Sequence, residues 1–312
     1  MKKIVIAIIT LMVFALTACG NDSTTESVNE NNSYKVVHAM GEATIEGTPK
    51  RIVVLTNEGT EALLAMGITP IGAVQSWTGD PWYDHIAEQM EGVEVVGTES
   101  AVNVEAIVAL KPDLIIGTKL RQEKIYEQLN AIAPTVLSET LKGDWKENFK
   151  LYAQAINKVE KGNEVIAAYD AKVETLSGKL GQDILAKKIS MVRFLAGDVR
   201  IYQKASFSGV VLEQLGFARP ENQNVDEFAI RGVTKERVSE MNGDVIFYFT
   251  YESGDGEATA VENDWLNDQL FQNLEAVKAG NVQKVSDTTW NTAGGVLAAN
   301  LMLDDIENYF LK

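Results

Sequence analysis

Cysteine is almost missing from this 312-residue chain. With Cys19 alone, it can form neither an intrachain disulfide nor a thiolate metal cluster. Two histidines, His38 and His85, are too few for a multi-histidine metal site. Arginine is scarce too, seven residues against twenty-one lysines, and the 28 basic residues are outnumbered by 44 acids for a net charge of −16. A nucleic-acid binder needs a basic face to displace counterions from phosphates, so that class is excluded. The chain also has no glycine-rich phosphate loop, no His-Glu-x-x-His, no Gly-x-Ser-x-Gly and no Cys-x-x-Cys. His85 lies in Trp82-Tyr83-Asp84-His85-Ile86 without a nucleophile signature near it, which suits a surface or interlobe position. Among 44 acids some carboxylate pair always exists, so a glycosidase reading has no specificity here.

What is present begins with an address. Lys2 and Lys3 precede the apolar stretch Ile4 to Leu16, which is shorter than the roughly twenty residues a membrane-spanning helix needs. It ends in Leu16-Thr17-Ala18-Cys19, small residues before the single cysteine. That arrangement resembles a bacterial lipoprotein signal over residues 1–18, with acylation of the Cys19 thiol and cleavage before it. The expectation is an extracytoplasmic protein, lipid-anchored to the cell membrane of a Gram-positive bacterium. Residues 19–33 are polar apart from Val28 after the cysteine and read as a flexible tether, because they cannot bury enough surface to offset their ordering entropy.

Beyond the tether, 46% hydrophobic and 23% charged residues are ordinary for a globular chain, and the length has room for about two domains of roughly 150 residues. Apolar runs of strand length alternate with helical patterns: Arg51 to Leu55, Thr60 to Met66, Ile71 to Val74, Val93 to Val96, Val104 to Leu110 and Leu114 to Ile116. The second half repeats the plan. At an offset of 131 residues, Glu105 faces Glu236, Ile107 faces Val238, Leu110 faces Met241 and Asp113 faces Asp244, each segment reading as a capped helix, a tight turn and a buried strand. Glu61 to Ile68 is echoed by Val210 to Phe217. Between the halves, Val165, Tyr169, Val173, Leu176 and Leu180 mark one face of a helix from about Glu160 to Leu180, about 30 Å long at 1.5 Å per residue. The predicted fold class is α/β: two similar lobes with central, mostly parallel sheets, joined by one long helix, with a ligand cleft between them. The expected boundaries are 34–158 for the N-terminal lobe, 159–181 for the helix and 182–312 for the C-terminal lobe.

The chemistry that remains is recognition. Arg121 lies just past the carboxyl end of the strand Leu114 to Ile116, where ligands bind in open α/β sheets, although a solvated helix start would look the same. Arg193 is embedded in Ser190-Met191-Val192-Arg193-Phe194-Leu195, where a charge is costly unless it is paired or at an edge. Trp77 and Trp290 both follow strands, and Trp290 precedes Asn291-Thr292-Ala293-Gly294-Gly295 at a strand-to-helix turn. Either tryptophan could instead be core.

Several segments together carry a family resemblance: the signal, Pro49-Lys50-Arg51-Ile52-Val53-Val54-Leu55, Glu61-Ala62-Leu63-Leu64-Ala65-Met66-Gly67, and Asn103 to Ile116 with its Lys111-Pro112-Asp113-Leu114-Ile115-Ile116. Over residues 34 to 312 the chain resembles the iron-siderophore and cobalamin substrate-binding proteins of ABC importers, those with a helical backbone between lobes. Arg193 to Tyr202 and Trp290 to Val296 are similar to the Bacillus branch that takes ferric citrate–hydroxamate siderophores of the schizokinen and arthrobactin type. The resemblance implies pocket roles for Trp77, Thr98 and Arg121 in the first lobe, and for Arg193, Tyr202, Phe207 and Trp290 in the second. It implies that Glu105 and Glu236 dock on the two subunits of an ABC permease dimer driven by a cytoplasmic ATPase, though acids also favour a helix first turn for local reasons. It further implies a monomeric, non-enzymatic binder without a cofactor of its own or a protein metal site, because the siderophore supplies the iron ligands. Haem or cobalamin binding would share the fold. A zinc or manganese binder would too, but lacks the histidines. An extracellular carboxylate-dependent hydrolase or a lipid-anchored adhesin remain the readings from other classes.

Overall fold

Short runs of β-branched and apolar residues build the first sheet. A computed structural model of the chain describes residues 33–311, so the expected signal, Cys19 and the tether up to residue 32 lie outside the described residues. The sheet runs in the order Glu94–Val95, Gly72–Ala73, Ile52–Val54, Leu114–Thr118, Thr135–Ser138, with every pairing parallel. Its central strands are buried throughout, as a parallel sheet covered by helices on both faces requires. The second sheet runs Ala229–Ile230, Asp198–Tyr202, Ile189–Leu195, Val245–Thr250, Val282–Lys284. It is parallel on one side, but Asp198–Tyr202 and Ala229–Ile230 are antiparallel. The turn at Ala196-Gly197 is too short for a crossover helix, so these strands must form a hairpin.

The internal echo has a structural basis in two aspartates. Asp113 accepts hydrogen bonds from the backbone N–H groups of Lys50 and Arg51, at 2.8 and 2.9 Å, and its own N–H donates to the Arg51 carbonyl. In the second lobe Asp244 accepts from the Lys188 N–H at 2.7 Å, and its N–H donates to the Lys188 carbonyl. Each carboxylate ties the start of one central strand to its parallel neighbour and sets their register. The echo fails one step earlier. Val104–Leu110 is an α-helix whose N-cap Asn103 accepts from the Ala106 N–H, whereas Lys235–Met241 is a 3₁₀ helix without a side-chain cap.

The long helix extends further than the apolar pattern predicts, Val159–Leu185, and Gly181 interrupts it with φ 71° and ψ 168°. Ile166, Tyr169, Val173, Leu176 and Leu180 bury its inner face. One contiguous apolar core runs from Val54 and Ile116 in the first sheet, along this helix, to Met191 and Phe247 in the second. A hairpin, Ser33–His38 with Gly41–Glu46, closes the side of the first lobe and is tied down where the Tyr34 hydroxyl donates to the Ala155 carbonyl.

The last helix, Val296–Phe310, crosses back onto the first-lobe helix Asn57–Ala65. There the fully buried Glu61 accepts the Ala298 N–H through Oε2 at 2.9 Å. It satisfies a first-turn donor that the last helix cannot pair internally. His85 Nε2, also in the first lobe, meets the other carboxylate oxygen of the same Glu61. The approach requires glycine at 295, because a Cβ there would sit 2.5 Å from Glu61 Oε2 and 2.7 Å from its Cβ. Gly295→Ala should therefore destabilise the fold by about 1–3 kcal/mol through overpacking. Urea unfolding measures this, and an unchanged midpoint would show that the two helices part without cost.

Candidate ligand-binding cleft

The alternation of the second sheet builds one wall of a cleft of about 610 Å³. Val192, Phe194, Val199 and Ile201 point into a core on one face, so Arg193, Leu195, Arg200 and Tyr202 share the other and line the cleft. Arg193 and Arg200 are direct cross-strand partners. Two like charges in register repel, and each is offset by its own acid. Asp287 accepts from Arg193 Nε and Nη2 at 2.6 and 3.0 Å, and Asp198 accepts from Arg200 Nε at 2.6 Å. Arg193 is buried. Burial works against its charge, but Asp287 and the Tyr202 hydroxyl, 3.0 Å from Nη1, more than compensate and raise its pKa. The Arg193 guanidinium also lies over the Tyr251 ring, 5.0 Å from its centre. Arg193 is thus structurally paired with Asp287 and also lines the cleft.

The opposite wall comes from loops after the first sheet. Arg121 follows the strand Leu114–Thr118, exposed, with its guanidinium 5.7 Å from the centre of the half-buried Trp77 ring. Lys142, Leu120 and Leu141 also line the cleft. Arg231 lies 5.9 Å from the centre of Phe228. Four of the seven arginines therefore line one cleft in a strongly acidic chain, and three of them rest over aromatic rings. Stacking holds a guanidinium in place without using its N–H groups; Arg193 additionally donates from all three nitrogens to Asp287 and Tyr202, which leaves it fewer for an anion.

Two acids complete the lining. Glu99 accepts from the Asn57 N–H and Nδ2, at 2.7 and 2.9 Å; burial raises its pKa, and the Asn57 hydrogen bonds and Arg121 draw it back in part. Glu58 is buried without an ion-pair partner among the described residues, and burial pushes its carboxyl well above the usual range.

Of the residues singled out from sequence, Trp77, Arg121, Arg193, Tyr202 and Phe207 line the cleft. Thr98 and Trp290 do not. Thr98 Oγ1 accepts from the Ala101 N–H and holds a tight two-strand turn, leaving Glu99 as the lining neighbour. Trp290 is fully buried, packs 4.7 Å from the centre of the Phe247 ring and donates its indole N–H to Asp305 at 2.9 Å. It backs Asn291, Thr292, Ala293 and Gly294, which do reach the cleft. Arg200 also lines the cleft, a direction carried by the alternation in Asp198-Val199-Arg200-Ile201-Tyr202. Lys142, Phe228, Arg231 and Tyr251 arrive from loops and strand ends without periodicity. Glu105 and Glu236 are both exposed in the first turns of their helices, outside the cleft lining. Thr234 and the local backbone hold the Glu236 carboxyl below the usual range.

Comparison with known proteins gives concordant matches. The family described as periplasmic binding protein matches residues 52–287. A Bacillus subtilis protein described as a probable siderophore-binding lipoprotein, YfiY, is 54% identical, with 97% of this chain and 96% of that protein aligned. The achromobactin-binding periplasmic protein of Dickeya dadantii is 30% identical over 83% of this chain and 85% of its own length. Among solved structures, Staphylococcus aureus SirA complexed with staphyloferrin B is similar at 35% identity and a TM-score of 0.82, covering 88% of this chain and 97% of that one.

Proposed function

We propose that this chain, which belongs to the periplasmic binding protein family, captures a ferric siderophore of citrate–hydroxamate type, such as schizokinen or arthrobactin, and hands it to an ABC permease. The chain is a siderophore-binding component of an iron-uptake ABC transporter and not an enzyme. The observation that carries the choice of chelate is the concentration of Arg121, Lys142, Arg193, Arg200 and Arg231 on one cleft. Guanidinium groups bind carboxylate and hydroxamate oxygens through charge-assisted, often bidentate hydrogen bonds. Trp77, Phe207, Phe228 and Tyr251 give apolar faces for the aliphatic arms. The iron stays inside its chelate, so the protein binds charge and shape and forms no bond to the metal.

Residues 34–158 and 182–312 act as the two lobes, with 159–181 as a stiff connection. The shared core and the Glu61 contact favour a cleft that is largely formed before the ligand arrives. Cys19 is the lipid anchor, Glu105 and Glu236 are the docking charges for the two permease subunits, and the chain works as a monomer at the surface of a Gram-positive cell. Haem and cobalamin are disfavoured as ligands by the number of cations the cleft devotes to anionic oxygens.

Tryptophan-fluorescence titration against ferric schizokinen, ferric staphyloferrin B, ferric citrate, haem and cobalamin tests the ligand class. The ferric citrate-based chelates should bind tightest. Arg121→Ala and Arg200→Ala should each weaken them well beyond tenfold, since losing a charged partner in a desolvated site costs on the order of 2–5 kcal/mol. Preferential haem binding, or wild-type affinity in both variants, would overturn the assignment. For docking, Glu105→Ala with Glu236→Ala should bind chelate normally yet import radio-iron poorly, with single variants in between; normal uptake would remove both residues from the mechanism. For anchoring, Cys19→Ser should lose acyl labelling and leave the membrane fraction, and retained label would refute it.

A further inference from the structure

Glu58 is the cleft residue that a simple anion-binding wall does not account for. It stands in the first turn of the helix Asn57–Ala65, 5% exposed, and lines the cleft opposite the arginines of the second lobe. Around it on the other elements are Tyr152 and Asn148 of the helix Trp145–Ala155, Ser138 at a strand end, and the acids Glu99 and Asp144. Gly295, the N-cap of the last helix, lies against the Glu58 backbone carbonyl. No lysine or arginine pairs with it among the described residues, and its Oε2 has no partner within hydrogen-bond geometry, Asn148 standing nearby.

The groups nearest the Glu58 carboxyl are neutral hydroxyls and amides. Ser138 Oγ faces two carbonyls, of Gly117 and Thr140, at 3.4 Å, and donates its one hydrogen there. The Tyr152 hydroxyl faces both Ser138 Oγ at 3.0 Å and Glu58 Oε1 at 3.3 Å and has one hydrogen to divide between them, so it offers Glu58 at most a shared, long hydrogen bond and no compensating charge. Burial, first, and the nearby acids Glu99 and Asp144 favour the protonated form; the Asn148 and Tyr152 side chains pull the other way without overcoming burial.

We propose that Glu58 is a specificity-determining residue that works as a neutral acid: in that form it leaves the arginine wall free to hold an anionic chelate, and on ionisation it opposes that chelate from the cleft floor. The inference rests on the siderophore-binding reading and adds a residue that selects on charge. A carboxylate at this depth would face the ligand in low dielectric without a counter-ion, where like charges repel most strongly. Binding then follows the neutral fraction of Glu58, and each pH unit above its titration lowers the competent fraction about tenfold.

The test compares wild type with Glu58→Gln, which keeps the shape and cannot ionise. Dissociation constants for ferric schizokinen and ferric staphyloferrin B are measured on both proteins from about pH 6 to about pH 9. Ligand speciation is common to both, so the wild-type to variant ratio isolates Glu58, and it should rise at least tenfold toward alkaline pH. Parallel profiles would overturn the proposal. Two readouts need no ligand. Infrared difference spectra, wild type minus Glu58→Gln, should contain a protonated-carboxyl band at neutral pH, and its absence would also overturn the proposal. Because the folded state retains a proton that the unfolded chain releases, stability from this group is lost as pH rises from the ordinary carboxylate range toward its folded titration. Glu58→Gln should therefore melt higher than wild type at pH 8, with the gap closing in acid; a constant gap contradicts the neutral acid. Should wild type bind neither chelate at any pH, the ligand assignment fails, while the infrared and melting results still decide the state of Glu58.

Discussion

The two lobes share one apolar core, and the rest of the molecule follows from that continuity. The buried face of Val159–Leu185 and the last helix, Val296–Phe310, join both sheets into a single packed body. Glu61 supports the junction by accepting a first-turn N–H of the last helix across the interface. Packed interiors move between discrete arrangements rather than deforming continuously. A cleft between such lobes has its wall charges set at folding, so each must be made tolerable before a ligand arrives.

The cleft arginines show how this is done. Arg193 and Arg200 lie opposite each other in the hairpin, and each keeps its own aspartate. Arg121, Arg193 and Arg231 rest over aromatic rings. These contacts limit the rotamer entropy lost on binding and leave donor capacity for the chelate. A net charge of −16 does not oppose the proposed capture of an anionic chelate, because recognition depends on the local field of the cleft. Glu58, kept neutral, fits within that field.

Much of the scaffold was legible in the sequence because buried parallel strands leave continuous apolar runs and the two lobes repeat a motif. Asp113 and Asp244 could be matched by eye, and both prove to fix strand register. Arg121 and Trp77 could be placed because ligands gather at strand carboxyl ends. Trp290 could not, since an aromatic residue at a strand-to-helix turn reads equally well as wall or core, and the Asp305 partner that decides it lies one helix later. Thr98 is used up by its local turn. Lys142, Arg231 and Tyr251 converge from distant loops, where sequence has no period to follow. The hairpin Ser33–Glu46 alternates weakly and packs on only one side, which hid it beside the polar tether.

The central claim is that the arginine-lined cleft holds iron only through its chelate. Anomalous diffraction at the iron edge, from crystals grown with ferric schizokinen or ferric staphyloferrin B, tests it most directly. The account predicts a single iron peak inside the cleft, ligated entirely by chelate oxygens, with Arg121, Arg193, Arg200 and Arg231 contacting the chelate. An iron bound to protein carboxylates such as Glu58 or Glu99, or seated outside the cleft, would contradict it.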